Sequence, residues 1–159
     1  MPQTDFQSFS DYFLGAPAQK AAASLSDGVE IEFQVEGQPS AITFTRKNGK
    51  NLMLPAPARS PQLRFQMNSL AAEQIVTYPS EDLGEIGIHI LKMVMRPETK
   101  TEPKVRMEIC AGFLTLFSKG YFGVLKNGGS AFASFLASKG LNGIGAIKAA
   151  LSKAMKTRS

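Results

Sequence analysis

The sequence predicts an α+β fold: a five-stranded, mainly antiparallel sheet with helices packed on one face. Three observations point there. Residues 29–36 alternate apolar and polar side chains without a break, as a strand buried on one face requires. Lys47-Asn48-Gly49-Lys50 joins two further short strands with a hairpin signal, because Asn-Gly tolerates the positive φ of a tight turn. Most of the remaining chain spaces its apolar residues three or four apart, which makes one apolar face on a helix. A length of 159 residues suits a single domain with one core. Its expected parts are N-terminal helices over 1–27, a sheet with inserted helices over 28–112, and C-terminal helices over 113–159.

Residues 4–14 read as a helix opened by Thr4, with Gln7 at capping-box spacing, and Phe6, Phe9 and Phe13 on one face. The Ala-rich residues 17–25 continue as a second helix, ended at Asp27-Gly28. In the first strand Val29, Ile31, Phe33 and Val35 face inward, while Glu30, Glu32, Gln34 and Glu36 face water. Ile42 and Phe44 extend the apolar face in the second strand, and Leu52 and Leu54 follow in the third. Pro55, Pro57 and Pro61 break the chain before the fourth strand, where Leu63, Phe65 and Met67 alternate with Gln62, Arg64, Gln66 and Asn68.

Residues 70–78 form a short helix. A stronger one follows Pro79-Ser80, with Glu81 and Asp82 favourably placed at its positive end and Pro97 at its close. Its apolar face is Leu83, Ile86, Ile90, Met93 and Val94. Its polar stripe is Asp82, Glu85, His89, Lys92 and Arg96, so His89 is expected in solvent. The fifth strand points Val105, Met107 and Ile109 inward, and Arg106, Glu108 and Cys110 outward. Residues 112–126 are apolar with almost no polar relief. Asn127-Gly128-Gly129-Ser130 opens a helix with Phe132, Phe135 and Leu136 on one face, and a last helix spans about 143–156.

Charge is unevenly spread. The first 108 residues hold 11 basic and 13 acidic side chains, whereas the rest holds seven basic and none acidic. That asymmetry suits an anionic partner, or simply a solvated basic face. No apolar run approaches the roughly 20 residues of a membrane span. The N-terminus lacks a secretory pattern, and the single cysteine, Cys110, cannot form an internal disulfide. A reducing, cytoplasmic setting is therefore expected.

The common catalytic constellations are missing. The chain has one His and one Cys, and neither has a candidate partner nearby in sequence. The carboxylates show no metal-ligand spacing. The glycines at 128–129 lack the lysine and spacing of a phosphate loop. No enzyme activity, metal or cofactor is expected.

The inward residues Phe33, Phe44, Phe65, Met67, Met93 and Met107 serve an ordinary core, each contributing about 1.5–3 kcal/mol when buried. Phe and Met are also adaptable linings for an acyl chain or ring system. The glycines after position 111 suggest short, loosely fixed helices that could act as a lid.

The order of elements, together with Leu63-Arg64-Phe65-Gln66-Met67-Asn68, the helix at 81–95 and Lys104-Val105-Arg106-Met107-Glu108-Ile109-Cys110-Ala111-Gly112 leading into an apolar helix, resembles the sterol-carrier-protein-2 domain over roughly residues 5–140. The resemblance implies an apolar tunnel between sheet and helices that takes a fatty acyl, sterol-like or quinone-like ligand. The expected lining is Phe33, Phe44, Phe65, Met67, Met107 and Ile109 from strands. Ile86, Ile90, Met93 and Val94 join them from the helix at 81–95, and Phe113, Phe117, Phe122, Phe132, Phe135 and Leu136 from the later helices.

The function expected is non-enzymatic binding and transfer of a lipid or other apolar molecule. Lys139, Lys148, Lys153 and Lys156 would contact an anionic membrane surface. The alternative is an interaction module whose basic C-terminal helix binds an anionic protein, membrane or nucleic acid. Residues 137–159 contain no aromatic side chain for base stacking, which argues against single-stranded nucleic acid.

Overall fold

A computed structural model of the chain describes residues 5–96, 99 and 101–138. The last helix expected at about 143–156, Thr4, and Pro97 lie outside the described residues. Two short helices come first, α1 (Phe6–Leu14) and α2 (Ala16–Ala21), followed by strands β1 (Ile31–Val35), β2 (Ile42–Lys47), β3 (Lys50–Leu54) and β4 (Leu63–Met67). Helices α3 (Ser69–Thr77) and α4 (Leu83–Met95) precede β5 (Val105–Ile109), and α5 (Phe113–Ser118), α6 (Tyr121–Asn127) and α7 (Gly129–Ser138) complete the described chain.

The architecture is α+β, but the sheet is mixed rather than mainly antiparallel. Its order is β3-β2-β1-β4-β5. The central pair β1–β4 is parallel, with Phe33 opposite Phe65 and Val35 opposite Met67. The outer pairings are antiparallel. The cause is the proline-broken segment 55–61. Instead of turning back beside β3, it crosses the polar face of the sheet and delivers β4 alongside β1. The Glu32 carboxylate accepts from the Ala58 amide at 2.9 Å, and Glu30 accepts from the amides of Arg59 and Ser60 at 3.3 and 3.0 Å. Thr43 Oγ1 donates to the Ala56 carbonyl at 2.6 Å. Glu32 and Thr43 are consequently buried, although alternation places Glu32 in water. Buried polar groups need such partners.

The hairpin also corrects the third strand. Asn48 and Gly49 have φ of 54° and 74°, and Lys47 pairs with Lys50. The register then sets Met53 opposite Phe44 and Asn51 opposite Arg46. Met53 and Asn51 are buried, while Leu52 and Leu54 face outward and are 39% and 41% exposed. Turn geometry fixes register, and a one-residue slip exchanges the two faces.

Local capping differs from expectation at α1. Asp5 is the N-cap, its carboxylate accepting from the Ser8 amide at 2.8 Å, and Gln7 instead donates to Asp11. Asn68 caps α3 and Asp82 caps α4. At the far end of α4, the buried Lys104 ammonium donates to the carbonyls of Val94 and Arg96, placing a cation where the helix dipole is negative. His89 is half-buried rather than solvent-facing. Its ring stacks on Tyr78 at 4.2 Å between centroids, because α3 lies beside α4.

The helices gather over the apolar face. Phe9, Leu25, Ile75, Met93, Leu116 and Tyr121 share one core with Phe33, Ile42, Phe44 and Val105. Of the glycines expected to loosen the later helices, Gly120, Gly123 and Gly128 are close-contact points instead, while Gly112 and Gly129 have open space around them and Gly140, Gly143 and Gly145 lie outside the described residues. A Cβ on Gly120 would lie 1.8 Å from the Ser24 carbonyl oxygen, and one on Gly84 would lie 2.5 Å from that of Gly128.

Candidate functional site

Between sheet and helices lies an apolar cavity of about 270 Å³. Its floor is the inward face of the sheet, with Ile31, Phe33, Phe44, Leu63, Phe65, Met67 and Val105. Register puts these side chains side by side: Phe33 and Phe65 stack with centroids 5.5 Å apart. Leu83, Ile86, Gly87 and Ile90 of α4 and Ile75 of α3 form one wall. Tyr121, Val124, Leu125, Gly128 and Phe132 form another, and Tyr12, Phe13, Pro17, Ala18, Ala21, Ala22 and Leu25 close the cavity from the N-terminal side.

Of the residues expected to line a tunnel, Phe33, Phe44, Phe65, Met67, Ile86, Ile90 and Phe132 lie in this wall. The structure places the others elsewhere. Met93 and Val94 are buried in the core, and Met107 and Ile109 pack on it half-buried. Leu136 joins Phe132 in a small second cluster with Ile88, Leu91 and Leu125. Phe122 and Phe135 are half-buried outside the wall. Phe117 is 64% exposed, because its short helix α5 turns Leu116 inward instead. The side chain of Phe113, and all of Lys139, Lys148, Lys153 and Lys156, lie outside the described residues.

The contribution of the N-terminal helices was the main omission. Its signal was the alanine run at 18 and 21–22, whose small side chains leave space above the phenylalanines of the floor.

Among the described residues the wall is nearly free of polar atoms. Tyr12 and Tyr121 bring its side-chain oxygens. The Tyr121 hydroxyl donates to Gln62 Oε1 at 3.1 Å. Burial, and the Glu30 carboxylate after it, push the Tyr121 phenol far above its ordinary range, so it stays protonated. An ion-pair network lies on the opposite face of the sheet. There Arg64 bridges Glu32 at 2.8 Å and Glu108 at 2.6 Å, and Gln66 donates to Gln34 at 2.9 Å.

Cys110 is exposed beside Glu108. Burial first, and the Glu108 carboxylate second, push its thiol up, which disfavours the nucleophilic thiolate. No group of three or more His, Cys, Asp or Glu residues suited to a metal ion occurs among the described residues, nor is any described helix long and apolar enough to cross a membrane.

A larger depression of about 920 Å³ lies at one end of the sheet, lined by Gln34, Glu36, Gln38, Gln66, Lys104 and Arg106 among others. Its lining mixes these polar groups with Val35, Met67 and Leu70, and it is the more open of the two, so a molecule there would stay partly hydrated. The apolar cavity between sheet and helices is the better candidate, since burial of apolar surface is what gives small-ligand sites their affinity. Comparison of the chain with protein-family models, curated proteins and solved structures finds no match.

Proposed function

We propose that this protein binds and carries an apolar molecule in the cavity between sheet and helices, without catalysing a reaction, as members of the sterol-carrier-protein-2 family do. One observation carries the reading. The described residues leave a recess of about 270 Å³ between sheet and helices and line it almost wholly with carbon, where a core face would normally close-pack. The resemblance of residues 63–68 and 104–112 to that family supports the same conclusion.

Size bounds the ligand. An apolar cavity of about 150 Å³ takes benzene, and drug-sized pockets run from about 300 Å³ upward. A volume of about 270 Å³ suits a medium-chain acyl group or a two-ring molecule. A whole sterol would require the helical cover to shift. The seven basic residues after Glu108 would bring the carrier to anionic lipid, each worth about 1 kcal/mol near such a surface.

Native mass spectrometry of the purified protein, together with titration of diphenylhexatriene fluorescence, tests the proposal. A co-purified apolar molecule, or saturable probe binding at one site, is expected. Absence of both would overturn it.

A further inference from the structure

A second conclusion concerns the head group of the ligand and rests on the reading of the cavity as a ligand site. We propose that the cavity selects a neutral molecule with a single hydrogen-bonding group, such as an alcohol, ester or ketone, and that the Tyr12 hydroxyl receives that group.

Tyr12 and Tyr121 supply the side-chain oxygens of the wall. That of Tyr121 is already committed to Gln62. Tyr12 is half-buried on α1, with its ring edge-on to Phe13 at 5.2 Å. Its hydroxyl makes no hydrogen bond among the described residues. The hydroxyl is not among the buried polar atoms that lack a partner; it stays accessible on a residue of the cavity wall, free to exchange a water for a ligand's polar group. Burial raises the phenol from its ordinary value, which keeps the hydroxyl protonated. It can both donate to a carbonyl and accept from an alcohol.

The same wall excludes charge. Among the described residues, no Lys, Arg, His, Asp or Glu side chain lines it. A carboxylate moved among such residues would lose its hydration with nothing to replace it. Arg46, a buried cation on the same sheet face, directs its guanidinium to the carbonyls of Ala22 and Gly49 and to Asn51 Oδ1. It therefore holds α2 against the hairpin and does not form part of the wall.

Displacement of bound diphenylhexatriene by decanol, methyl decanoate and decanoate at neutral pH, on the wild-type protein and on Tyr12→Phe, tests the proposal. Decanol and methyl decanoate should displace the probe well below the concentration that decanoate needs. Tyr12→Phe should weaken both neutral ligands about 2- to 12-fold, the net worth of one neutral hydrogen bond. Its affinity for the hydrocarbon probe should stay within about twofold, since the probe offers the hydroxyl nothing. Decanoate binding as well as decanol on the wild type would overturn the proposal. So would Tyr12→Phe leaving the neutral ligands unchanged. Either result would leave the apolar-carrier reading standing, whereas failure of the probe to bind the wild type would remove both.

Discussion

Glu32 shows at the scale of one residue how tertiary contacts rewrite a local pattern. Alternation marks it as a solvent-facing strand residue, yet its side chain is 5% exposed. Burial alone would raise its carboxyl. The Arg64 guanidinium, the Ala58 amide and the Gln34 amide outweigh burial and hold it below its ordinary value of 4.5. A depressed folded pKa means that its stabilising contribution is complete above pH 4.5 and is lost as pH falls through the lower folded value. Glu32→Gln should cost about 1–3 kcal/mol at neutral pH, because Arg64 and the crossing segment lose a charged acceptor. The variant should also lose that acid-limb dependence in urea denaturation.

His89 carries a second dependence at higher pH. Burial lowers it below 6.5 against an opposing hydrogen bond to the Gln74 backbone, with Arg96 and Lys92 adding to the lowering. Its folded form is neutral, so stability should begin to fall as pH drops below 6.5. His89→Phe, which keeps the stack on Tyr78, should remove that component from a plot of unfolding free energy against pH. The alternation at Glu32 and the polar stripe at His89 were both legible. What covers them is a segment distant in sequence or a neighbouring helix, and that was not.

At the scale of elements, hydrophobicity and turn geometry compete, and geometry prevails in the hairpin. The Asn48-Gly49 turn was legible, and with it the pairing of Lys47 with Lys50. Counting back from the turn would have placed Met53, not Leu52, opposite Phe44. The apolar character of Leu52 and Leu54 concealed this. The glycines show a similar reversal. By composition they weaken helices, yet Gly84 is where α4 meets the end of α6 and Gly87 is where it meets α7. A Cβ on Gly84 would approach the Gly128 carbonyl oxygen to 2.5 Å, and one on Gly87 would approach the Phe132 ring to 2.8 Å. Backbone yields less readily than a side chain, so Gly84→Ala should cost about 1–3 kcal/mol by overpacking and should raise hydrogen exchange in α7. Gly112→Ala, which meets nothing within 4 Å, should cost only the exchange of a glycine N-cap for alanine on α5, about 1 kcal/mol or less.

For the whole molecule, stability and ligand occupancy are linked through the cavity. A ligand that binds the folded chain alone adds about 2.7 kcal/mol at a hundredfold excess over Kd, so decanol should raise the melting temperature by several degrees. Ala18→Leu places added carbon in the wall. It should abolish the ligand-induced rise while leaving the unliganded melting temperature equal or higher, as a differential scanning measurement would show. The sequence by itself determined the strands, most helix positions, the hairpin and the apolar floor of the sheet, because each depends on periodicity or on turn chemistry within a few residues. Only the tertiary structure decided the parallel β1–β4 pairing, the burial of Glu32, the register that turns Leu52 outward and the cavity itself. These depend on where segment 55–61 crosses and on how closely the glycine-bearing helices approach, and both are contacts between residues far apart in the chain. A void is a property of packing, and no single residue encodes it.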